Sequence, residues 1–347
     1  MSTAPVRVLV IDDSPNNRRS LVEHLAQSRQ VEIVDRASDG EEGLAKALAL
    51  KPDVITLDLE MPKLDGFAFL RLLMKNRPTP VIVVSSYAHE RDIDKALQLG
   101  AYDFVAREEF PRHLLSKVLA TRLVRPVRRA PARPRAADPS GDPFTVAIAA
   151  STGGPPAIQK LLEATQEDPR LCFLICQHMP AHFTAAFAAR LDRLGSFRVS
   201  EAREGDVLAP GRVFVAPGGR QLVVDVKDGA RMLRTHAPRA GDGHAPSADL
   251  LFTSVAHTLG RSALGLVLTG MGNDGAKGAK EMAAAGAEVW AESEASAVVF
   301  GMPHAAIATG VVRRTLPLAE IGPALLALAK RASVVRHGAP GADRGRL

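Results

Sequence analysis

The chain has 347 residues, 46% of them hydrophobic, 24% charged and only 4% aromatic, a balance that excludes disordered, collagen-like and disulfide-built proteins. The formal net charge of +6 is spread along the chain: residues 1–124 carry −1, residues 125–142 carry +3, residues 143–332 carry +2 and residues 333–347 carry +2. With one Trp and two Tyr to stack on bases, this distribution argues against nucleic-acid binding.

The first 124 residues alternate short β-branched runs with segments of helical period. We predict buried strands at residues 6–11, 31–34, 54–57, 81–84 and 103–105. Four helical stretches separate them, and a last helix covers residues 113–123. Such a (βα)5 pattern predicts a parallel sheet with right-handed crossovers.

A connector at residues 125–142 holds four prolines and five arginines and has almost no large apolar side chain. It cannot bury a core, so we expect an extended, solvated linker. The tail from residue 333, with glycine and proline, resembles it in composition. The predicted organisation is therefore a first domain at 1–124, the linker, a second domain at 143–332, and a flexible tail at 333–347.

The second domain resumes the α/β alternation. We predict strands at residues 145–150, 171–176, 263–268 and 287–290, and a strand-rich patch at 213–235. The predicted helices cover residues 156–166, 182–194, 248–260, 274–285 and 318–332. Both domains are thus predicted to be doubly wound α/β folds.

Neither a membrane span nor a secretion signal is expected. No apolar run reaches the ~18 residues of a membrane helix, and acidic residues stand where a signal peptide would be cleaved. On one strand, Cys172 and Cys176 would lie too far apart to form a disulfide. A cytoplasmic location fits this cysteine usage best.

Polar side chains follow the strands of the first domain. Asp12 and Asp13 follow the first strand, Asp58 the third, Ser85 the fourth and Arg107 the fifth. In a doubly wound sheet the carboxyl ends of the strands form the ligand-binding edge. Three carboxylates brought together there repel one another unless a cation joins them, and Mg²⁺ is the natural hard, oxygen-binding ion.

With the segment MPKLDG at residues 61–66, the first domain resembles the receiver domain of two-component response regulators over residues 5–124. The resemblance implies a flavodoxin-like fold and a histidine kinase as the phosphodonor. It also implies that Asp58 is the phosphoacceptor and that Asp12 and Asp13 join it in holding Mg²⁺.

Two further residues of the receiver form its switch by the same resemblance. Ser85 is the hydroxyl that hydrogen-bonds the phosphoryl group. The family usually has a lysine followed by proline at the end of the fifth strand, where this chain has Arg107 and Glu108. Arginine can pair with phosphate in a bidentate manner but is bulkier than lysine.

In the second domain, the strand at 145–150 leads directly into Ser151-Thr152-Gly153-Gly154 and then a helix. Glycines allow a sharp turn, and the helix N-terminus presents unpaired N–H groups. The segment could hold a dinucleotide phosphate, although it is not G-x-G-x-x-G. Alternatively, Ser151 is a nucleophile with nearby N–H donors for an oxyanion, although it is not in a G-x-S-x-G elbow.

Other strand ends favour the nucleophile. His178 follows the strand at 171–176, and Asp274 follows the strand at 263–268. Serine, histidine and aspartate then meet at one edge, as a nucleophile, a base and the acid that orients the base. Two alternatives stay open: a lone histidine is often structural, and Asp274 could simply cap its own helix.

The segments STGG (151–154), QHMP (177–180) and TGMGNDG (269–275), with APSAD (245–249) and VVFGMP (298–303), resemble the methylesterase domain of the chemotaxis protein-glutamate methylesterases, the CheB family, over residues 144–332. The resemblance implies a larger, mostly parallel α/β serine-hydrolase fold that is not of the α/β-hydrolase type.

Particular residues carry over from this family. Ser151 is implied as the nucleophile, His178 as the general base and Asp274 as its orienting acid. Thr152 and the backbone N–H of Met271 support the oxyanion. The sequence AESE at 291–294 departs from the Ala-Gln-Asp/Asn-Glu common in the family, and we expect the change to affect substrate contacts.

The implied activity is a phosphorylation-controlled removal of methyl groups from γ-glutamyl methyl esters on the cytoplasmic domains of chemoreceptors, with deamidation of receptor glutamines. The esterase reaction needs no cofactor. One alternative is a non-catalytic binding module gated by the receiver. Another, a DNA-binding regulator, is disfavoured by the charge distribution and the lack of a helix-turn-helix pattern.

Overall fold

The fold is taken from a computed structural model, which describes residues 4–85, 92, 95–96, 99–107, 110–121, 142–165, 168, 170–179, 181, 183–195 and 197–337. Nearly all of the linker predicted at 125–142, and most of the helix predicted between the fourth and fifth strands, lie outside these residues. The chain forms two compact units, Met1–Pro131 with Met179–Arg190, and Ala132–His178 with Leu191–Leu347.

A five-stranded parallel sheet forms the centre of the first unit, in the order β2-β1-β3-β4-β5. The strands are β1 (Val6–Ile11), β2 (Val31–Ala37), β3 (Val54–Leu57), β4 (Val81–Ser85) and β5 (Asp103–Ala106). The helices are α1 (Pro15–Ala26), α2 (Gly40–Leu50), α3 (Gly66–Asn76) and α4 (Phe110–Ala120). This arrangement confirms the predicted receiver-like sheet.

Local sequence explains where these elements begin. The residues of β3 and β4 are buried throughout, as expected for a central parallel strand covered on both faces. Ser14, Asp39 and Asp65 each accept a hydrogen bond from a backbone N–H in the first turn of α1, α2 and α3 respectively. These caps place each helix start close to the carboxyl edge of the sheet.

The second unit contains a seven-stranded parallel sheet in the order β14-β13-β12-β6-β7-β9-β8. Its strands are β6 (Phe144–Ala150), β7 (Leu171–Gln177), β8 (Arg198–Glu201), β9 (Arg212–Val215), β12 (Ala263–Val267), β13 (Glu288–Glu292) and β14 (Arg314–Leu316). A separate antiparallel hairpin joins β10 (Gln221–Lys227) and β11 (Ala230–His236). The predicted mostly parallel α/β fold is confirmed.

Six helices of the described chain follow β6, and most of the second of them groups with the first unit. They are α5 (Gly154–Thr165), α6 (Phe183–Asp192), α7 (Ala248–Leu259), α8 (Ala276–Ala284), α9 (Gly301–Ala308) and α10 (Leu318–His337). β6 and β7 are buried at every residue and lie in the interior of the sheet. The strands β8 and β14 and the helix α9 were not predicted, because each is short or weakly periodic.

Two boundaries differ from the sequence-based expectation. Most of α6 groups with the first unit, where Phe183 stacks on Phe104 with ring centroids 5.2 Å apart and Arg190 donates a hydrogen bond to the carbonyl of Tyr102. The final helix α10 reaches His337, past the predicted end at residue 332.

Two smaller expectations can also be compared with the structure. Cys172 and Cys176 are both buried, and neither forms a disulfide. Among the helices in the described part of the chain, none combines the length and the apolar character needed to cross a membrane.

Candidate active site

The four central strands of the second sheet, β13, β12, β6 and β7, end side by side at one edge. Ala150 and Gln177 are the last paired residues of β6 and β7, so Ser151 and His178 follow at neighbouring positions. The N–H of His178 also donates to the carbonyl of Ala150 at 2.9 Å. The parallel register therefore brings the predicted nucleophile and base to adjacent strand ends.

Backbone contacts hold Ser151 in place. Its N–H donates to the carbonyl of Thr269, which follows β12, at 3.0 Å. Its carbonyl accepts from the N–H of Gly154 and from Nε2 of Gln177, each at 2.8 Å. Gly270 lies so close that a Cβ there would stand 2.8 Å from the Cβ of Ser151. Ser151, the predicted nucleophile, is thus hydrogen-bonded to the residues at the ends of both neighbouring strands.

His178 and Asp274 form a direct pair. Nε2 of His178 lies 2.7 Å from Oδ2 of Asp274, and their side chains are only 12% and 5% exposed. The carboxylate engages Nε2 and thereby fixes the orientation of the imidazole ring. The predicted base and the predicted acid are therefore in direct contact.

Asp274 does not cap its own helix, α8, whose N-cap residue is Gly275. It accepts hydrogen bonds from the N–H groups of Ala248 and Asp249 at 2.7 and 2.9 Å, and from Oγ of Ser247 at 3.1 Å, all at the start of α7. The alternative that Asp274 merely caps its own helix is therefore wrong.

The charge of Asp274 is strongly favoured. Burial raises the pKa of its carboxyl, but hydrogen bonds from His178 and from the N–H groups of Ala248 and Asp249 outweigh that effect, and the pKa falls to about 2. The N-terminal end of α7 adds a favourable dipole. Asp274 is consequently an anion across the neutral range, suited to hold a histidine in one tautomer.

The structure adds two polar neighbours that the sequence did not single out as site residues. The ring of His244 stacks on that of His178, with centroids 4.3 Å apart and planes at 2°. Cys176 lies close to His178 and Asp274, with one ligand atom of each within 4.8 Å of the others. Burial raises the pKa of the Cys176 thiol well above its ordinary value, which leaves it protonated and inert.

The two residues predicted to support the oxyanion follow neighbouring strands: Thr152 lies in the loop after β6 and Met271 in the loop after β12. The carbonyl of Thr152 accepts a hydrogen bond from Oγ1 of Thr269 at 2.8 Å, so this residue is tied to the end of β12. Met271 follows Gly270 and is 53% exposed. Gly270 in turn is held by bonds from the N–H groups of Gly301 and Met302 to its carbonyl, at 3.1 and 2.8 Å.

In the first unit, the predicted acids meet at the carboxyl edge of the sheet. One oxygen each of Asp12, Asp13 and Asp58 lies within 4.8 Å of the others. Three hard oxygen donors at this spacing fit Mg²⁺. Burial and the charge of Asp12 raise the pKa of Asp58 to about 6, although Arg107 opposes the shift.

Arg107 joins two of these acids. Its Nη1 lies 2.8 Å from Oδ2 of Asp12, and its Nη2 lies 2.8 Å from Oδ2 of Asp58. The Arg107 side chain is only 15% exposed. Ser85, buried at the end of β4, pairs in register with Ala106, the residue before Arg107. All five receiver residues predicted from the sequence therefore gather at one edge.

Comparison with known proteins agrees with this architecture. The family model for CheB methylesterase matches residues 146–325, and that for the response regulator receiver domain matches residues 8–119. The chain is 55% identical over 341 residues to protein-glutamate methylesterase/protein-glutamine glutaminase 1 of Myxococcus xanthus, covering 95% of this chain and 99% of the relative. This chain belongs to the CheB methylesterase family.

Other relatives agree with this assignment. A protein-glutamate methylesterase/protein-glutamine glutaminase 1 of Caulobacter vibrioides is 42% identical over 344 residues, covering 94% of this chain and 98% of the relative. The crystal structure of the Thermotoga maritima CheB methylesterase catalytic domain matches with a TM-score of 0.51 and 33% identity, covering 55% of this chain and 99% of that one. The resemblance recognised from the motifs is confirmed.

The segment at residues 291–294 departs from the family pattern, and its predicted effect on substrate contacts stays a prediction. Within this segment Glu292 is fully buried, Ser293 is half-buried and Glu294 is exposed. The carboxylate of Glu292 accepts hydrogen bonds from the N–H of Thr269 at 2.9 Å and from Oγ of Ser296 at 2.8 Å. The carboxylate of Glu292 therefore bonds inside the fold to the residue that follows β12, which a motif comparison cannot reveal.

Proposed function

We propose that this chain is a phosphorylation-regulated serine hydrolase acting on methyl-accepting chemoreceptors. It demethylates γ-glutamyl methyl esters on their cytoplasmic domains, releases methanol, and deamidates glutamines of the same receptors. The observation that carries the proposal is the buried His178–Asp274 pair at 2.7 Å, one strand end away from Ser151. The names of the relatives give the substrate class.

Acylation begins at the serine hydroxyl. Ser151 Oγ attacks the γ-carbonyl carbon of the ester, and Nδ1 of His178 takes the hydroxyl proton. The resulting oxyanion is stabilised by backbone donors of the surrounding loops, among them the N–H of Met271. As the tetrahedral intermediate collapses, His178 passes the proton to the departing methoxide, so methanol leaves and a glutamyl ester of Ser151 forms.

Deacylation reverses the roles. Water gives a proton to Nδ1 of His178 and attacks the acyl carbon, and the proton then returns to Ser151 Oγ as the glutamate carboxyl is released. A glutamine side chain follows the same route with ammonia in place of methanol, because both substrates pass through a tetrahedral oxyanion. Asp274 stabilises the imidazolium in each half, and no cofactor is needed.

The receiver controls this reaction by phosphorylation of Asp58 from a two-component histidine kinase. Asp12, Asp13 and Asp58 hold Mg²⁺, which when bound supplies positive charge for the phosphoryl group. Ser85 and Arg107 then hydrogen-bond the phosphoryl oxygens and carry the change to the rest of the receiver. We place the activity in the cytoplasm, where the receptor domains proposed as substrates lie.

Ser151→Ala and His178→Ala test the catalytic roles. Each is expected to lower methyl ester hydrolysis by about 10³-fold or more, since members of such a triad fail as a unit. The measurement is methanol release from methylated receptor membranes, with circular dichroism to verify folding. Ser200→Ala in β8 and His257→Ala on the exposed side of α7 are matched controls, expected to stay within about twofold. Folded Ser151→Ala or His178→Ala protein with most of its turnover would contradict the proposal.

A further inference from the structure

Glu292 is the last residue of β13, and its side chain is fully buried beside the end of β12. Two donors meet its carboxylate: the N–H of Thr269 at Oε2, at 2.9 Å, and Oγ of Ser296 at Oε1, at 2.8 Å. Oγ of Ser296 also accepts the N–H of Leu318 at 2.9 Å. Glu292 therefore joins the backbone after β12 to the segments that follow β13 and β14.

Thr269 connects this buried acid to the nucleophile position. Its carbonyl accepts the N–H of Ser151 at 3.0 Å, and its Oγ1 donates to the carbonyl of Thr152 at 2.8 Å. The same Oγ1 accepts the N–H of Val299 at 2.9 Å. A continuous set of hydrogen bonds thus runs from Glu292 through Thr269 to the N–H of Ser151 and the carbonyl of Thr152.

A buried acid is costly to keep unless hydrogen bonds or countercharges compensate. Burial raises the pKa of the Glu292 carboxyl above its ordinary value, and the hydrogen bonds from Thr269 and Ser296, with the charge of Lys160, act against that shift. Among the ion pairs described in the structure, none includes Glu292. Its direct contacts are the two hydrogen bonds that its carboxylate accepts, one from Thr269 after β12 and one from Ser296.

We propose that Glu292 is a positioning residue, which holds Thr269 so that Ser151 Oγ is aligned with His178. The inference rests on the proposed nucleophilic role of Ser151. Without an acceptor at residue 292, the buried N–H of Thr269 loses its partner and the end of β12 must shift to find another. Ser151, whose N–H is bound to Thr269, moves with it.

The proposal predicts which side chains can replace Glu292. Glutamine has the same shape; its carbonyl oxygen can accept from Thr269, and its amide can donate to Oγ of Ser296. Leucine has similar volume but accepts no hydrogen bond. Glu288 offers a matched control, because it lies on the same face of β13 at the start of the strand. Its carboxylate accepts a hydrogen bond from Nε1 of Trp290 at 2.8 Å, at the end of the strand opposite to Glu292.

The test compares full-length E292L, E292Q and E288L. We measure the rate at which a fluorophosphonate labels Ser151, and kcat and KM for methanol release from methylated receptor membranes. E292L is expected to lower the labelling rate and kcat by about 10- to 100-fold, the usual effect of a misplaced reacting group, with KM within threefold. E292Q is expected to restore both to within about threefold, and E288L to label within about threefold of the wild type, even where E288L unfolds at a lower temperature.

Wild-type labelling of folded E292L would overturn the proposal, as would E292Q labelling as slowly as E292L. Should E292L fail to fold, E292M decides, because methionine keeps the unbranched shape of the side chain but offers only a weak acceptor to the N–H of Thr269: a labelling rate lowered about tenfold or more supports the proposal, and a wild-type rate overturns it. Ser151→Ala distinguishes a failure of the proposed function from a failure of the role of Glu292. Persistent labelling and turnover in Ser151→Ala would contradict the proposed function itself, whereas their loss there with normal labelling of E292L contradicts only the role of Glu292.

Discussion

The carboxylate of Asp274 links acid chemistry to stability. Its pKa of about 2 lies below the value of 3.8 for an unperturbed aspartate. A lowered pKa in the folded state contributes stability above about pH 4 and loses it as the pH falls through about 2. A difference of this size corresponds to about 2 kcal/mol at neutral pH. The carboxylate that contacts His178 therefore also joins α7 to the loop before α8.

Asp274→Asn should lower both the catalytic rate and the stability of the fold. The amide nitrogen of asparagine cannot accept a hydrogen bond, so one of the donors from His178, Ala248 and Asp249 loses its partner whichever way the amide turns. We expect kcat to fall by about 10³-fold or more with KM within threefold, and the unfolding free energy to fall by about 1–3 kcal/mol. Steady-state kinetics and urea unfolding measure the two. A rise in KM alone would identify Asp274 as a binding residue.

Arg107 stands where the receiver family usually has a lysine. Its Nη1 lies 2.8 Å from Oδ2 of Asp12 and its Nη2 lies 2.8 Å from Oδ2 of Asp58, two of the acids that would hold Mg²⁺. The guanidinium and the cation would therefore compete for the negative charge of these two carboxylates. A lysine offers one compact ammonium in place of the planar fork and gives way more easily.

Arg107→Lys is therefore expected to bind Mg²⁺ about tenfold more tightly, the effect of sparing one charge-assisted hydrogen bond. Isothermal titration calorimetry of the full-length protein measures the affinity directly. Arg19→Lys is the control, because Arg19 lies on the surface of α1 and pairs only with Glu23 among the ion pairs described. Equal or weaker Mg²⁺ binding by Arg107→Lys would show that the arginine does not compete for these oxygens.

Helix N-termini organise the catalytic edge at the scale of elements. Asp274, before α8, accepts the N–H groups of Ala248 and Asp249 at the start of α7. Asp249, in the first turn of α7, accepts the N–H groups of Gly275 and Gly278 of the α8 start at 2.9 and 2.7 Å. Each helix thus supplies the acid that caps the other. This reciprocal arrangement fixes the acid of the His178–Asp274 pair against two helices at once.

The strand end after β12 tolerates little added volume. A Cβ on Gly270 would stand 2.8 Å from the Cβ of Ser151, 3.0 Å from its nitrogen, and against Sδ of Met302. Gly270→Ala should therefore displace Ser151 and lower kcat and fluorophosphonate labelling by about 10- to 100-fold. Gly243→Ala is the matched control, since a Cβ there meets nothing within 4 Å. Normal labelling of Gly270→Ala would mean that Met302 yields instead of Ser151.

Much of the candidate site follows from one rule that can be applied to the sequence, that the carboxyl ends of parallel strands share an edge. It places Asp12, Asp58, Ser151 and His178 correctly, because each directly follows a strong β-branched or apolar run. The role of Asp274 at the start of α7 depends on contacts 25 or more residues away, which periodicity does not encode. The buried position of Glu292 could not be read from the sequence for a related reason, since its surroundings depend on how β13 packs beside β12.

The whole molecule joins a phosphorylatable unit to a hydrolytic one within a single chain. A short tether keeps two units at high mutual concentration, so regulation needs little intrinsic affinity between them. Phosphorylation can act only by favouring receiver states that differ in their effect on the hydrolase. The prediction at this scale is that Mg²⁺ with a small phosphodonor stimulates the wild type but leaves Asp58→Ala at its basal rate.

Methanol release by the full-length protein from methylated receptor membranes tests the central claim most directly. It is measured with and without Mg²⁺ and a small phosphodonor, in the wild type, Asp58→Ala and Ser151→Ala. The account predicts release by the wild type that rises with the phosphodonor, basal release by Asp58→Ala under both conditions, and release at least about 10³-fold lower from Ser151→Ala. No methanol from phosphorylated wild type, or equal release from Ser151→Ala, would contradict it.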